Sequence, residues 1–417
     1  MKRTLFITIG GAALLLIFML WLYLLLFGTP RSVDEVVGDF GLVNIEATPI
    51  NVNNELAVGE SRQLDLSTGT LYQLTRNPVA GFDFIVTGTS SAQILYAERG
   101  TGHIYQVDID GGNETRLLQK TFVAINRAYF AEDGSAAVLL GESDTGTVAY
   151  LEELDPSRTP HEFPGNAENI AFLPGREVRY TIPNQNGTAG YTYDLDTAET
   201  DQLFGIPLKD VSVIWNTGET LIYSRPTATF NGSLYRVSGS TLSRAGSSGI
   251  AYSAFSDPQT TGVQVETYAH PQSGNLVSQL SGLSTSEDIA LGVTALREKC
   301  AFDSRSTTVL WCASPFGLIP AQSHADWYKG VVSFSDFLWK VDLETGTADE
   351  TDDLLETSGR EIDVIDMVTN TEGDYLLFKN KNDDTLWLKR LVTPTELSPA
   401  TDEELLSDSE EVTDGEI

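Results

Sequence analysis

A short phrase recurs along this chain and limits what it can fold into. It is an aromatic–aliphatic run, then Asp or an equivalent, then a turn with Gly, Thr or Asp. It reads Ile104-Tyr105-Gln106-Val107-Asp108, Tyr150-Leu151-Glu152-Glu153-Leu154-Asp155, Tyr191-Thr192-Tyr193-Asp194, Leu234-Tyr235-Arg236-Val237, Leu338-Trp339-Lys340-Val341-Asp342 and Leu386-Trp387-Leu388-Lys389. The markers Tyr105, Tyr150, Tyr193 and Tyr235 follow one another at roughly 42–45 residues, and Trp339 and Trp387 lie about 48 apart. The gap from Tyr235 to Trp339 is about two units long, and Leu276-Val277-Ser278-Gln279-Leu280 fits the missing marker without its ring. That makes about seven units.

A second phrase precedes the markers: an apolar pair, a polar turn, then another apolar strand. Examples are Tyr129-Phe130-Ala131-Glu132-Asp133-Gly134, Ala171-Phe172-Leu173-Pro174-Gly175, Ile214-Trp215-Asn216-Thr217-Gly218, Ala254-Phe255-Ser256-Asp257 and Val368-Thr369-Asn370. Each unit therefore reads as four strands, the content of one propeller blade. A lone sheet cannot bury its apolar face; stacking blades radially buries it and leaves only short edges. The expected fold is all-β, a propeller of about seven blades (six to eight fit the spacing) over residues 61–393. The phrases Phe130…Asp133-Gly134 and Tyr105…Asp108…Gly111 resemble the TolB-like β-propeller repeat, a relative of the WD-type repeat, and the resemblance covers about residues 60–395. The Trp-Asp dipeptides of the better-known class are missing. The resemblance implies the fold and says little about function. Thr70-Leu71-Tyr72-Gln73-Leu74-Thr75 is expected to close the ring by adding a strand to the last blade, around Asp374 to Leu391.

Ahead of the repeats, the run from Leu5 to Phe27 has no charged residue. As a helix at about 1.5 Å per residue it covers roughly 34 Å, enough for a hydrocarbon core of about 30 Å. Lys2 and Arg3 precede it, while Asp34, Glu35 and Asp39 follow, with Trp21 and Tyr23 near the outer end. This pattern puts residues 1–4 in the cytoplasm, a single transmembrane helix at 5–27 in the lipid bilayer, and the remainder outside the cell membrane. A cleaved signal peptide is the rival, but its apolar region is normally shorter and ends in small residues. Residues 28–60 read as a stalk, and 394–417 as an acidic, disordered tail in which Asp402, Glu403, Glu404, Asp408, Glu410, Glu411, Asp414 and Glu416 face no basic residue.

The net charge of −33 argues against nucleic acid as a partner, since binding it needs basic patches. Solubility and self-repulsion of a crowded surface protein, or adaptation to salt, accounts for the charge better than attraction of cations or basic partners. The two cysteines, Cys300 and Cys312, flank Asp303–Thr308. If those residues turn, pairing Phe302 with Leu310 sets Cys300 opposite Cys312, and an exported domain permits a disulfide; two free thiols are the alternative. His103, His161, His270 and His324 fall in separate units without ligand spacing. Gly141-Glu142-Ser143-Asp144-Thr145 and Gly246-Ser247-Ser248-Gly249 only approach a nucleophile elbow. Asp108-Ile109-Asp110-Gly111-Gly112-Asn113-Glu114 briefly resembles a calcium loop, yet it is too short, and a hairpin turn explains its glycines better. No cofactor is expected, with calcium at Asp108–Glu114 as the alternative. Trp327 and Tyr328, beside an insert at about Pro315–Lys329, are candidate partner contacts, although packing or loop anchoring is the commoner fate of such rings. The expected function is a non-catalytic binding module for a protein, peptide or cell-envelope polymer. The alternatives are a structural subunit of an envelope complex and a glycan-active hydrolase or lyase with acidic residues at the propeller mouth.

Overall fold

The computed structural model describes residues 64–391, apart from 67–68, 87–91, 145, 156, 159–160, 175, 217, 258–263 and 283–287. The apolar segment 5–27, the stalk 28–60 and the tail 394–417 lie outside the described residues. Among the described residues, no helix is long and apolar enough to cross a membrane.

Seven antiparallel sheets make a seven-bladed β-propeller. The chain starts with β1 (Leu71–Gln73) and then builds blade 1 from β2 (Val79–Val86), β3 (Ala92–Glu98), β4 (Ile104–Asp108) and β5 (Thr115–Arg116). Blade 2 has β6 (Ile125–Phe130), β7 (Ala136–Ser143) and β8 (Gly146–Glu153); where a fourth strand would lie, Leu151 bridges to His161. Blade 3 is β9 (Glu168–Leu173), β10 (Glu177–Asn184), β11 (Gly187–Asp194) and β12 (Thr200–Ile206). Blade 4 is β13 (Val211–Trp215), β14 (Thr220–Ser224), β15 (Asn231–Ser238) and β16 (Thr241–Ile250). Blade 5 is β17 (Ser253–Phe255), β18 (Gln264–Ala269), β19 (Leu276–Ser281) and β20 (Ile289–Leu291). Blade 6 is β21 (Cys300–Phe302), β22 (Val309–Ser314), β23 (Phe337–Asp342) and β24 (Ala348–Asp353). Blade 7 is β25 (Val364–Thr369), β26 (Tyr375–Asn380) and β27 (Leu386–Arg390), and β1 completes it.

The sequence pattern explains this layering. The aromatic markers all fall on third strands (β4, β8, β11, β15, β23 and β27), and the ringless Leu276–Leu280 falls on β19. The preceding phrases fall on first strands, β6, β9, β13, β17 and β25. Second strands are apolar on both faces because a neighbouring blade covers each side; Ala136–Gly141 of β7 is buried throughout. The outermost strands carry the charge, as in Ala348–Asp353, where Asp349 and Glu350 are exposed to water. Core clusters therefore lie between blades, for example Leu139, Ile125 and Phe130 of blade 2 against Leu95 and Ile104 of blade 1.

The ring closes where the sequence suggested. Leu71, Tyr72 and Gln73 pair with Lys389, Leu388 and Trp387. Thr75 Oγ1 accepts the Leu386 N–H at 3.0 Å, and the Arg390 N–H donates to the Thr70 carbonyl at 2.7 Å. Strand direction alternates within every blade, so first strands all start at one face, called here the mouth face. The described chain enters at Thr70 and leaves after Arg390 at the opposite face.

Candidate functional site

The first strands surround a central channel, and local backbone irregularities aim side chains into it. In β2, β6, β9 and β25 the pairing register shifts near the mouth. Each shift inserts an extra residue, which bends the strand and redirects its side chains. The residues at these shifts are Ala80, Asn126, Asn169 with Ile170, and Asp366 with Met367, and all line the channel. Asn169 (φ 48°) and Asp366 (φ 57°) take the left-handed conformation, in which Asn and Asp are the best tolerated non-glycine residues. At Gly81 a Cβ would sit 2.1 Å from the Ala128 carbonyl, so only glycine lets the first strands of blades 1 and 2 approach this closely.

The channel has two adjoining lobes of about 970 and 720 Å³, with Arg127, Tyr129, Arg297, Glu298, Tyr328 and Asp366 in the wall of both. Its basic side chains are Arg127, Arg225, Arg297, Lys329, Lys379 and Lys381; its acidic ones are Asp83, Glu142, Glu168, Glu298 and Asp366. The two signs balance here, whereas the whole chain has 26 basic residues against 59 acidic ones. Arg225 pairs with Glu168 at 2.7 Å, Lys329 with Asp326 at 2.9 Å, and Lys379 with Asp366 at 3.3 Å. Arg127 and Arg297 make no ion pair among the described residues. Arg127 lies against Tyr129, and Arg297 donates to the Val213 carbonyl at 3.1 Å.

Two carboxyls in the wall have raised pKa values. Burial pushes Asp83 up to about 7, against the Phe84 N–H bonded to it at 2.8 Å, and Glu132 adds to the rise. Burial also raises Glu298, opposed by the Arg297 charge and by the Tyr328 hydroxyl that donates to it at 2.8 Å. Asp83 is thus a carboxyl able to gain or lose a proton near neutral pH inside the channel.

The insert between β22 and β23 forms helix α1 (Ala321–Tyr328), whose Gln322, Ala325 and Tyr328 reach the channel. A buried polar cluster seats it. Lys299 is fully buried, with its ammonium 2.5 Å from Asp336 and 2.6 Å from Asp363. Asp363 also accepts the Trp327 indole N–H at 2.8 Å and the Ser333 hydroxyl at 3.0 Å. Lys381 donates to the Trp327 carbonyl at 3.0 Å and lies 4.6 Å from the Trp327 ring centre, a cation–π distance. The charges are paired and hydrogen-bonded, the condition under which burying them is tolerable.

The residues singled out from the sequence fare differently. Cys300 and Cys312 face each other across β21 and β22 and are joined in a disulfide, with Cα atoms 4.1 Å apart. The bridge follows directly on the single 3-10 turn Arg297–Lys299, so it staples the segment that presents Arg297 and Glu298 to the channel. Trp327, a candidate partner contact, is only 2% exposed: its indole donates to Asp363 and its ring stacks on Phe334, at the wall of the smaller lobe. Tyr328, 39% exposed, does face the channel. Asp108 accepts from Gln93 at 2.9 Å and Asn113 at 2.7 Å in a hairpin turn where Gly111 has φ 74°, so the would-be calcium loop uses its carboxylate internally. The histidines are not brought together: His161 bridges Glu153 and Tyr193, His103 lies by Thr121, and His324 is buried in α1. Among the described residues, no group of three or more His, Cys, Asp or Glu is placed to hold a metal ion. Sequence reasoning missed Arg127, Arg297 and Asp83, which look like ordinary charged residues in strand phrases.

The fold is that of a seven-bladed β-propeller, and comparison with solved structures agrees. The chain is similar to an oligogalacturonate lyase in complex with manganese, with a TM-score of 0.53 and 11% identity over 81% of this chain and 99% of that one. It is similar to TolB from Acinetobacter baumannii at 13% identity, over 64% of this chain and 62% of that chain, with a TM-score of 0.40. The β-propeller domain of the Trilobed protease from Pyrococcus furiosus matches at 10% identity over 76% of this chain and 96% of that one, with a TM-score of 0.48. The chain therefore spans less than two thirds of the TolB chain it matches. No family model and no curated protein matches the sequence.

Proposed function

We propose that this chain is a membrane-tethered, extracytoplasmic β-propeller that binds a protein, peptide or cell-envelope polymer at the mouth of its central channel. The observation that carries the reading is the channel itself. Its larger lobe of about 970 Å³ is the size of a ligand site, and bulged first strands aim polar side chains into it. The apolar run Leu5–Phe27 supplies the tether, with the propeller outside. The test is crosslinking and capture from intact membranes with the full-length chain and with Asn126→Trp, which fills the channel from a half-exposed position. Capture of one partner by the parent and its loss from the variant is the expected result. Equal capture by both places binding elsewhere.

An enzyme acting on an anionic glycan is a second reading, favoured by Asp83, whose pKa of about 7 suits a general acid or base. The likeness to an oligogalacturonate lyase makes oligogalacturonate the first substrate to assay, with and without manganese. The described side chains offer no donor set for that metal, so no step is assigned to it. Turnover abolished by Asp83→Asn would favour catalysis over binding alone.

A further inference from the structure

The buried cluster that seats α1 places a nucleophile between two carboxyls. Lys299, Asp336 and Asp363 are each 0% to 1% exposed. The Lys299 nitrogen lies 2.5 Å from Asp336 Oδ2 and 2.6 Å from Asp363 Oδ1. The rings of Trp327 and Phe334 cover it, with centres 5.1 and 5.5 Å away. The two carboxyls are not alike. Asp363 has both oxygens engaged by donors, from Trp327, Ser333 and Phe334 besides Lys299, and Lys381 stands 3.7 Å off as a second counter-charge. Asp336 Oδ2 accepts the Val364 N–H at 2.8 Å, but its Oδ1 is buried with no hydrogen-bond partner. Burial raises the Asp336 carboxyl above its ordinary range against the Lys299 charge, and the Asp363 charge adds to the rise. A buried oxygen left unpaired is costly, so its presence asks for a cause.

We propose that Lys299 and Asp336 condense to an intramolecular isopeptide bond, with Asp363 as the catalytic proton carrier. The proton balance closes within the cluster. A proton passes from the Lys299 ammonium to the Asp336 carboxylate, leaving a neutral amine beside a neutral acid. The amine nitrogen attacks Asp336 Cγ. Asp363 takes a proton from that nitrogen and gives it to Oδ1, which leaves as water. An ammonium and a carboxylate become an amide and water; nothing is oxidised or reduced, and Asp363 ends as it began. Fixed positions and the exclusion of water favour the condensation. The product also suits its surroundings. Oδ2 stays as the amide carbonyl under the Val364 N–H, and the new amide N–H keeps Asp363 as its acceptor. The unpaired oxygen is gone, one buried ion pair becomes neutral, and Asp363 retains Lys381. The bond joins the residue before the first strand of blade 6 to the residue before its third, so it encloses both the disulfide and α1.

Mass spectrometry of the full-length chain, reduced and alkylated, is the test. The parent should be lighter than its sequence requires by one water. Tryptic digestion should leave the chain uncleaved after Lys299 and yield a branched peptide joining Lys299 to Asp336. Lys299→Met, Asp336→Ala and Asp363→Asn should each restore the full mass. Circular dichroism checks that each variant folds; where one does not, the mass and branched peptide of the parent decide. A parent of full mass overturns the proposal. So does a water loss that persists in Lys299→Met, or one mapped to a succinimide at Asp110-Gly111 or Asp133-Gly134. A link from Lys299 to Asp363 overturns it as well, and a link that forms unchanged in Asp363→Asn overturns the role given to Asp363.

Discussion

At the residue scale, burial sets two side chains against each other in their response to acid. Asp83, raised to about 7, stays protonated in the folded chain at pH values where the unfolded chain has ionised it. The unfolded form binds fewer protons in that window, so this contribution to stability falls as pH climbs from about 4 to 7. Asp83→Asn keeps the shape and removes the dependence. Melting curves should show it gaining stability over the parent at pH 8, by a few kcal/mol at most, and little at pH 4. His324 runs the other way. Its ring is fully buried with neither nitrogen hydrogen-bonded, and burial lowers it to about 4. The unfolded imidazole takes its proton near pH 6.5 while the folded one resists, so stability is lost as pH falls through that window. His324→Phe forfeits no hydrogen bond and should resist acid better, by up to about 3 kcal/mol at pH 4 in the same melts.

At the scale of elements, α1 and the first strand of blade 6 are held by different means. Asp363→Ala removes the acceptor shared by Lys299, Trp327 and Ser333, and should cost about 3–5 kcal/mol in urea unfolding. Cys300→Ser with Cys312→Ser removes a bridge closing a separation of 12 residues and should cost about 3 kcal/mol in the chain-entropy model. Reduction of the parent chain should reproduce that loss, whereas it should leave the double variant unchanged. The strands, the blade count and the cysteine pairing were legible in the sequence because each rests on local signals: period-2 patterning, turn residues and a short hairpin. The insert was visible as an irregularity, but not as a helix, since Ala321–Tyr328 lacks a side-chain N-cap and a strong apolar stripe. The clamp was hidden for a different reason. Lys299 and Asp363 stand 64 residues apart, and nothing near either one announces the other. The channel arginines were equally invisible, because a bulge presents Arg127 and a 3-10 turn presents Arg297, and neither is announced by its neighbours in sequence.

At the scale of the molecule, the closed ring makes the blades interdependent. Blade 7 takes its outermost strand from the start of the described chain, so both ends must be in place before the circle is complete. Deleting residues 70–75 strips Leu74 and Thr75 from Leu386 as well as β1 from β27. The expected outcome is a lower, broader thermal transition, and hydrogen exchange should accelerate first in blades 7 and 1.

The clasp also has a mechanical side. A pull exerted on Thr70 away from the mouth face, with that face held, would run along the axis of β1. The Leu71, Tyr72 and Gln73 pairs would then bear the load together in shear instead of being peeled open one after another. The strand that shuts the ring is oriented to carry tension.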